Sequence, residues 1–116
     1  MERIVIVDDE AEILEIQKEA LTELDVEVQA FTDPCAAWKH IQQSESALVV
    51  TDWNMPGMTG MDLLFKIQGL ERPPYVIVMT AYGTIDRAVQ AVHQGAFNFL
   101  VRILHILWDI QLRNIH

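Results

Sequence analysis

Cysteine is nearly absent from this chain: Cys35 stands alone among 116 residues. No disulfide can close within the chain, which fits a reducing compartment. Basic residues are scarce too, with eight Lys and Arg against seventeen Asp and Glu, a formal charge of −9. Binding to nucleic acid draws its affinity from Lys and Arg that neutralise phosphates, so direct nucleic-acid binding is excluded as the main activity. Long apolar runs are missing as well. The N-terminus, "MERIVIVDDE", meets acids after four apolar residues, too few for a signal-peptide core or a membrane span. A cytoplasmic protein without membrane contact is expected. The four histidines (His40, His93, His105, His116) are too scattered to form a ligand set. No glycine-rich phosphate loop follows the first apolar run.

What is present is a core-forming composition, 51% hydrophobic, in a chain of single-domain length. Eleven of the seventeen acids precede residue 34, and a solvated helix face accounts for most of them. Two periodicities alternate. Short β-branched runs occupy 3–7, 26–31, 47–51, 75–80 and 97–101. Between the first two, 11–24 carries Ile13, Leu14, Ile16, Ala20, Leu21 and Leu24 at helical spacing, with Glu12, Glu15, Glu19 and Glu23 on the other face. Asp33-Pro34 marks a second helix start. Thr59 and Asp62 resemble a capping box, and Thr84 and Gly95 fit the two ends of a later helix. Repeated β-then-α units predict a parallel sheet covered on both faces. The fold class is α/β, a flavodoxin-like (βα)5 doubly wound sheet of strand order 2-1-3-4-5. Ligands of such sheets bind beyond the carboxyl ends of the strands, where the chain order reverses.

That edge collects chemistry. The first strand ends in Asp8-Asp9 and the third in Asp52. Like charges this close destabilise a fold unless a cation offsets them, and an all-oxygen site suits Mg²⁺. A carboxylate held beside a metal can act as a nucleophile toward a phosphoryl group. Thr80 ends the fourth run, where its hydroxyl can donate to phosphoryl oxygens, and Arg102 lies near the end of the fifth, a cation for the remaining charge. Taken singly, each has a plainer reading: Asp9, three before Glu12, can cap the first helix, Thr80 can be an ordinary strand residue, and Arg102 a solvated cation. Their coincidence at one edge favours the joint reading.

The segments "IVIVDDE", "VVTDWNMPGMTGMDLL", "VIVMTAYGTIDRAVQAVHQGA" and "FNFL" resemble the receiver domain of two-component response regulators. The Asp-x-x-Met-Pro-x-x-x-Gly pattern at Asp52, Met55, Pro56 and Gly60, and the 28-residue step from Asp52 to Thr80, carry the resemblance. The third segment looks most like receivers of nitrogen-regulator-type transcriptional activators. The resemblance implies that 1–116 is a receiver domain whose output domain lies outside this chain. It implies that Asp52 accepts a phosphoryl group from a sensor histidine kinase, and that the domain thereby regulates transcription. Asp9, Asp52 and the backbone carbonyl of Asn54 would bind Mg²⁺, with Asp8 acting through water. Thr80 would move toward the phosphate, small Ala81 would flank it, and Phe99 would be the switch aromatic. Asn54 and Tyr82 would tune the lifetime of the phosphorylated state. Such a domain is not an enzyme; its chemistry is Mg²⁺-dependent self-phosphorylation and autodephosphorylation.

The sequence departs from the family at Arg102-Ile103, where Lys-Pro is usual. A forked guanidinium replaces a compact ammonium, and the proline that can adopt a cis bond is lost. The alternative function is therefore a receiver-like interaction module uncoupled from phosphorylation. Residues 102–116 are expected to form an atypical C-terminal helix, with apolar residues around most of its circumference. An exposed patch there predicts a homodimer through the fourth helix, fifth strand and fifth helix. A haloacid-dehalogenase-like phosphatase is disfavoured, because Asp52-Trp53-Asn54 lacks the second acid that would serve as general acid and base.

Overall fold

Alternation along the two central strands sorts their side chains onto two covered faces. The computed structural model describes residues 2–22 and 24–79. Their elements are β1 (Glu2–Val7), α1 (Ala11–Leu21), β2 (Val26–Phe31), α2 (Pro34–Gln43), β3 (Leu48–Asp52), α3 (Gly60–Gln68) and β4 (Tyr75–Met79). The strands form one sheet of order β2-β1-β3-β4, and every pair is parallel. The expected order holds through its first four members. The expected run at 97–101, the helix between Thr84 and Gly95, and the 102–116 helix lie outside the described residues, as do Thr80, Ala81, Tyr82, Phe99 and Arg102-Ile103.

Ile4, Ile6, Leu48, Val50, Ile77 and Met79 pack with Leu14, Leu21 and Leu24 on the α1 side. Val5, Val7 and Val49 pack with Ala37, Ile41, Leu63 and Ile67 on the side of α2 and α3. Central β1 and β3 are therefore buried on both faces, which is why they read as unbroken apolar runs. At the sheet edge, β2 alternates partly buried and exposed residues over Val26–Ala30.

Local chemistry sets the helix ends. Asp33 Oδ1 accepts the Cys35 amide at 2.9 Å, with Pro34 at the first helical position. Thr59 Oγ1 accepts the Asp62 amide at 3.1 Å and Asp62 Oδ2 accepts the Thr59 amide at 3.0 Å, a complete capping box. The first helix is shorter than the 11–24 pattern. At Thr22 the amide and hydroxyl both turn back to the Glu19 carbonyl, at 3.2 and 2.6 Å, and the Leu24 amide bonds Leu21 at 3.0 Å. Leu24 stays buried although it has left the helix, so its apolar spacing reported burial, not helix length.

Candidate functional site

Register brings the acids together. Val7 pairs with Thr51 across β1 and β3, so the residues that follow, Asp8 and Asp52, emerge side by side at the carboxyl end of the sheet. Asp52 itself pairs with Met79 of β4. Asp9 follows in the loop to α1. One carboxylate oxygen from each of Asp8, Asp9 and Asp52 lies within 4.8 Å of the other two. Asp8 and Asp52 are half-buried and Asp9 is exposed.

The plainer reading of Asp9 as a helix cap is corrected here. The N-cap position of α1 is Glu10, whose side chain makes no capping bond. The local bond comes instead from Asp8, whose Oδ1 accepts the Glu10 amide at 2.9 Å. This leaves the Asp9 carboxylate within the acidic group rather than folded onto the helix.

Burial raises the Asp8 carboxyl to about 7, with the Glu10 amide opposing and the charges of Asp52 and Asp9 adding. Burial likewise raises Asp52 to about 6, the Trp53 amide opposing and Asp9 adding. Among the described residues the ion pairs are Arg3–Glu27 and Arg72–Glu45, neither of them at these acids. Partly dehydrated, mutually repelling carboxylates with no ion pair among the described residues fit a hard, oxygen-seeking dication.

The turn after β3 is tightly held. The Trp53 amide donates to the Met79 carbonyl at 2.8 Å and the Trp53 carbonyl accepts the Gly60 amide at 2.9 Å. A Cβ at position 60 would overlap the Asp52 carbonyl oxygen, so only glycine lets α3 begin against this strand end. Gly57 adopts φ +85° at the tip of the loop. Met55 is buried in the core and anchors the loop from below, while Trp53 and Asn54 are exposed.

Two contributors escaped the sequence reading. The Glu10 amide orients Asp8, and a backbone donor has no signature in sequence. Thr51 is fully buried, and its hydroxyl donates to the Asp52 carbonyl at 3.1 Å. Its signal was present as the one polar residue in the run "LVVT".

A family model described as the response regulator receiver domain matches residues 4–112. Among curated proteins, the chain is 33% identical over 96 residues to the regulatory protein LuxO of Vibrio cholerae, covering 83% of this chain and 21% of that one. It is 38% identical over 104 residues to the response regulator protein FleR of Pseudomonas aeruginosa, covering 86% and 21%. With the DNA-binding transcriptional regulator NtrC of Azospirillum brasilense it shares 32% over 97 residues, covering 84% and 20%. The chain thus spans about a fifth of the length of these relatives. Among solved structures, a response regulator receiver domain protein from Clostridium thermocellum superposes with a TM-score of 0.70 at 25% identity, covering 97% and 98% of the two chains. The response regulator protein TrrA of Thermotoga maritima, in complex with Mg²⁺–BeF, gives 0.70 at 26%, covering 91% and 99%.

Proposed function

The chain belongs to the response regulator receiver family, and from that premise we propose that it is a signalling switch phosphorylated on Asp52 by a sensor histidine kinase. The observation that carries this reading is the group formed by Asp8, Asp9 and Asp52, ligand atoms within 4.8 Å, at the carboxyl end of the parallel sheet. Asp9, Asp52 and the backbone carbonyl of Asn54 would hold Mg²⁺, with Asp8 acting through water. The bound ion supplies charge neutralisation for an acceptor that is itself an anion.

The protein's own part is placement. An oxygen of Asp52 attacks the phosphorus of a phosphohistidine, the P–N bond breaks, and the donor imidazole leaves. Partial burial of Asp52 reduces the water available to compete. Thr80 and Arg102 would contact the phosphoryl oxygens, Phe99 would follow Thr80 as the switch aromatic, and Asn54 with Tyr82 would set the lifetime of the product. The names of the relatives support a transcriptional output carried by a domain outside this chain. Homodimerisation through the fourth helix, fifth strand and fifth helix belongs to the same reading, as does a cytoplasmic location. Among the described residues no helix is long and apolar enough to cross a membrane.

A second reading is favoured by Arg102-Ile103: a receiver that binds partners without a phosphorylation-driven change. Labelled acetyl phosphate with Mg²⁺ tests both. The switch predicts a hydroxylamine-sensitive label on Asp52 and a change in assembly by light scattering. A label without a change in assembly favours the uncoupled module.

A further inference from the structure

Valine would fill the place of Thr51 with the same shape, yet the chain keeps a hydroxyl there. Thr51 is fully buried at the end of a strand whose preceding residues are Leu48, Val49 and Val50. Burying a hydroxyl is costly unless it is bonded. Its bond goes to the carbonyl oxygen of Asp52, at 3.1 Å. Met55 Sδ lies 4.0 Å away, the longer contact to the softer acceptor, so the single hydroxyl proton is best spent on the carbonyl.

Independent contacts converge on the same peptide unit. Gly60 packs so closely on the Asp52 carbonyl oxygen that no Cβ fits between them. Beyond that carbonyl, the Trp53 amide is tied to Met79 at 2.8 Å and the Trp53 carbonyl to Gly60 at 2.9 Å. The peptide plane following Asp52 is thereby held from within β3, from β4 and from α3. A fixed plane at this residue narrows the Cα–Cβ direction, and with it the positions the carboxylate can reach beside Asp8 and Asp9.

We infer that Thr51 is a positioning residue for phosphoryl acceptance, its buried hydroxyl holding the Asp52 backbone so that the carboxylate faces its neighbours in a productive orientation. The inference rests on Asp52 being the acceptor. Small misplacements of a reacting group cost rate, and the effect of one neutral hydrogen bond is about fivefold.

The test uses the full chain with Mg²⁺ and acetyl phosphate, following phosphoryl incorporation against donor concentration beside thermal melting. Thr51→Val removes the hydroxyl and keeps the shape, while Thr51→Ser keeps the hydroxyl and loses a methyl. The expected result is a maximal rate about fivefold lower for Thr51→Val, with melting unchanged or raised. Thr51→Ser should hold the wild-type rate despite melting lower. The Thr51→Ser and Thr51→Ala pair isolates the same hydroxyl in a second background. A purely structural role predicts the reverse ranking, with rate following melting temperature. That ranking, or a Thr51→Val rate equal to wild type, overturns the inference alone. A wild-type chain that accepts no phosphoryl group overturns the reading of Asp52 and this inference with it.

Discussion

The amide of Trp53 donates to the carbonyl of Met79 at 2.8 Å, the bond that closes the parallel register pair Asp52–Met79. The β3–β4 ladder therefore stays closed up to the candidate acceptor and does not fray before it. Asp52 sits at the end of a strand that is nevertheless hydrogen-bonded on its far side, which gives a partly exposed carboxylate a rigid base.

Gly60 tests that rigidity. In Gly60→Ala the new methyl meets the Asp52 carbonyl, and we expect a loss of about 1–3 kcal/mol, the usual cost of overpacking, together with slower phosphorylation. Gly57→Ala is the control. It strains a backbone at φ +85° in open space, so it should cost about 1 kcal/mol with little effect on phosphorylation. Urea melts and phosphorylation rates of the two variants decide the matter.

The raised carboxyls of Asp8, to about 7, and Asp52, to about 6, predict an unusual pH profile. Unfolded, both ionise near 3.8. Between that value and the folded ones the native state binds more protons, so stability falls as pH rises. Melting of the metal-free protein should decline from about pH 4 to about pH 7 and then level off. The slope should be shallower in Asp8→Asn.

Charge relief and ligand loss separate in Asp8→Asn. Without divalent ions its melting point should rise, each kcal/mol of relieved repulsion giving about 4–8 °C in a domain of this size. With saturating Mg²⁺ the order should invert, because the variant has lost a group that supports the ion. Calorimetric scans with and without EDTA show whether the two curves cross.

The capping box of α3 makes a separate prediction. Thr59→Ala should cost about 1 kcal/mol. Asp62, exposed and held below the usual carboxylate range by the Thr59 amide and then the Thr59 hydroxyl, stabilises only while ionised. Its contribution is present above the unfolded value of 3.8 and is lost as pH falls through the lower folded one. Thr59→Ala should therefore approach wild type in acid without meeting it, because the bond from the Asp62 amide to Thr59 Oγ1 does not titrate, measured by helicity against temperature.

Much of this was legible in sequence because the signals were local or strictly periodic. The runs at 3–7 and 26–31 and the capping residues Asp33, Thr59 and Asp62 read correctly, since each depends on neighbours a few residues away. The acidic group was legible because parallel strands of known order must end together. The end of α1 was not. Leu24 continued the apolar spacing, and only the bonds of Thr22 to Glu19 show that the chain had already turned. Asp9 could be read as a cap until the structure placed Glu10 at that position. The service of Thr51 and Gly60 to Asp52 depends on packing between β3 and α3, which spacing along the chain does not encode.

Intact mass after incubation with Mg²⁺ and acetyl phosphate, with Asp52→Asn and an EDTA-treated sample alongside, tests the central claim most directly. The prediction is one added phosphoryl group on the wild-type chain and none on either control. A folded, Mg²⁺-bound wild type that gains no phosphoryl group, or an equal gain on Asp52→Asn, would contradict it.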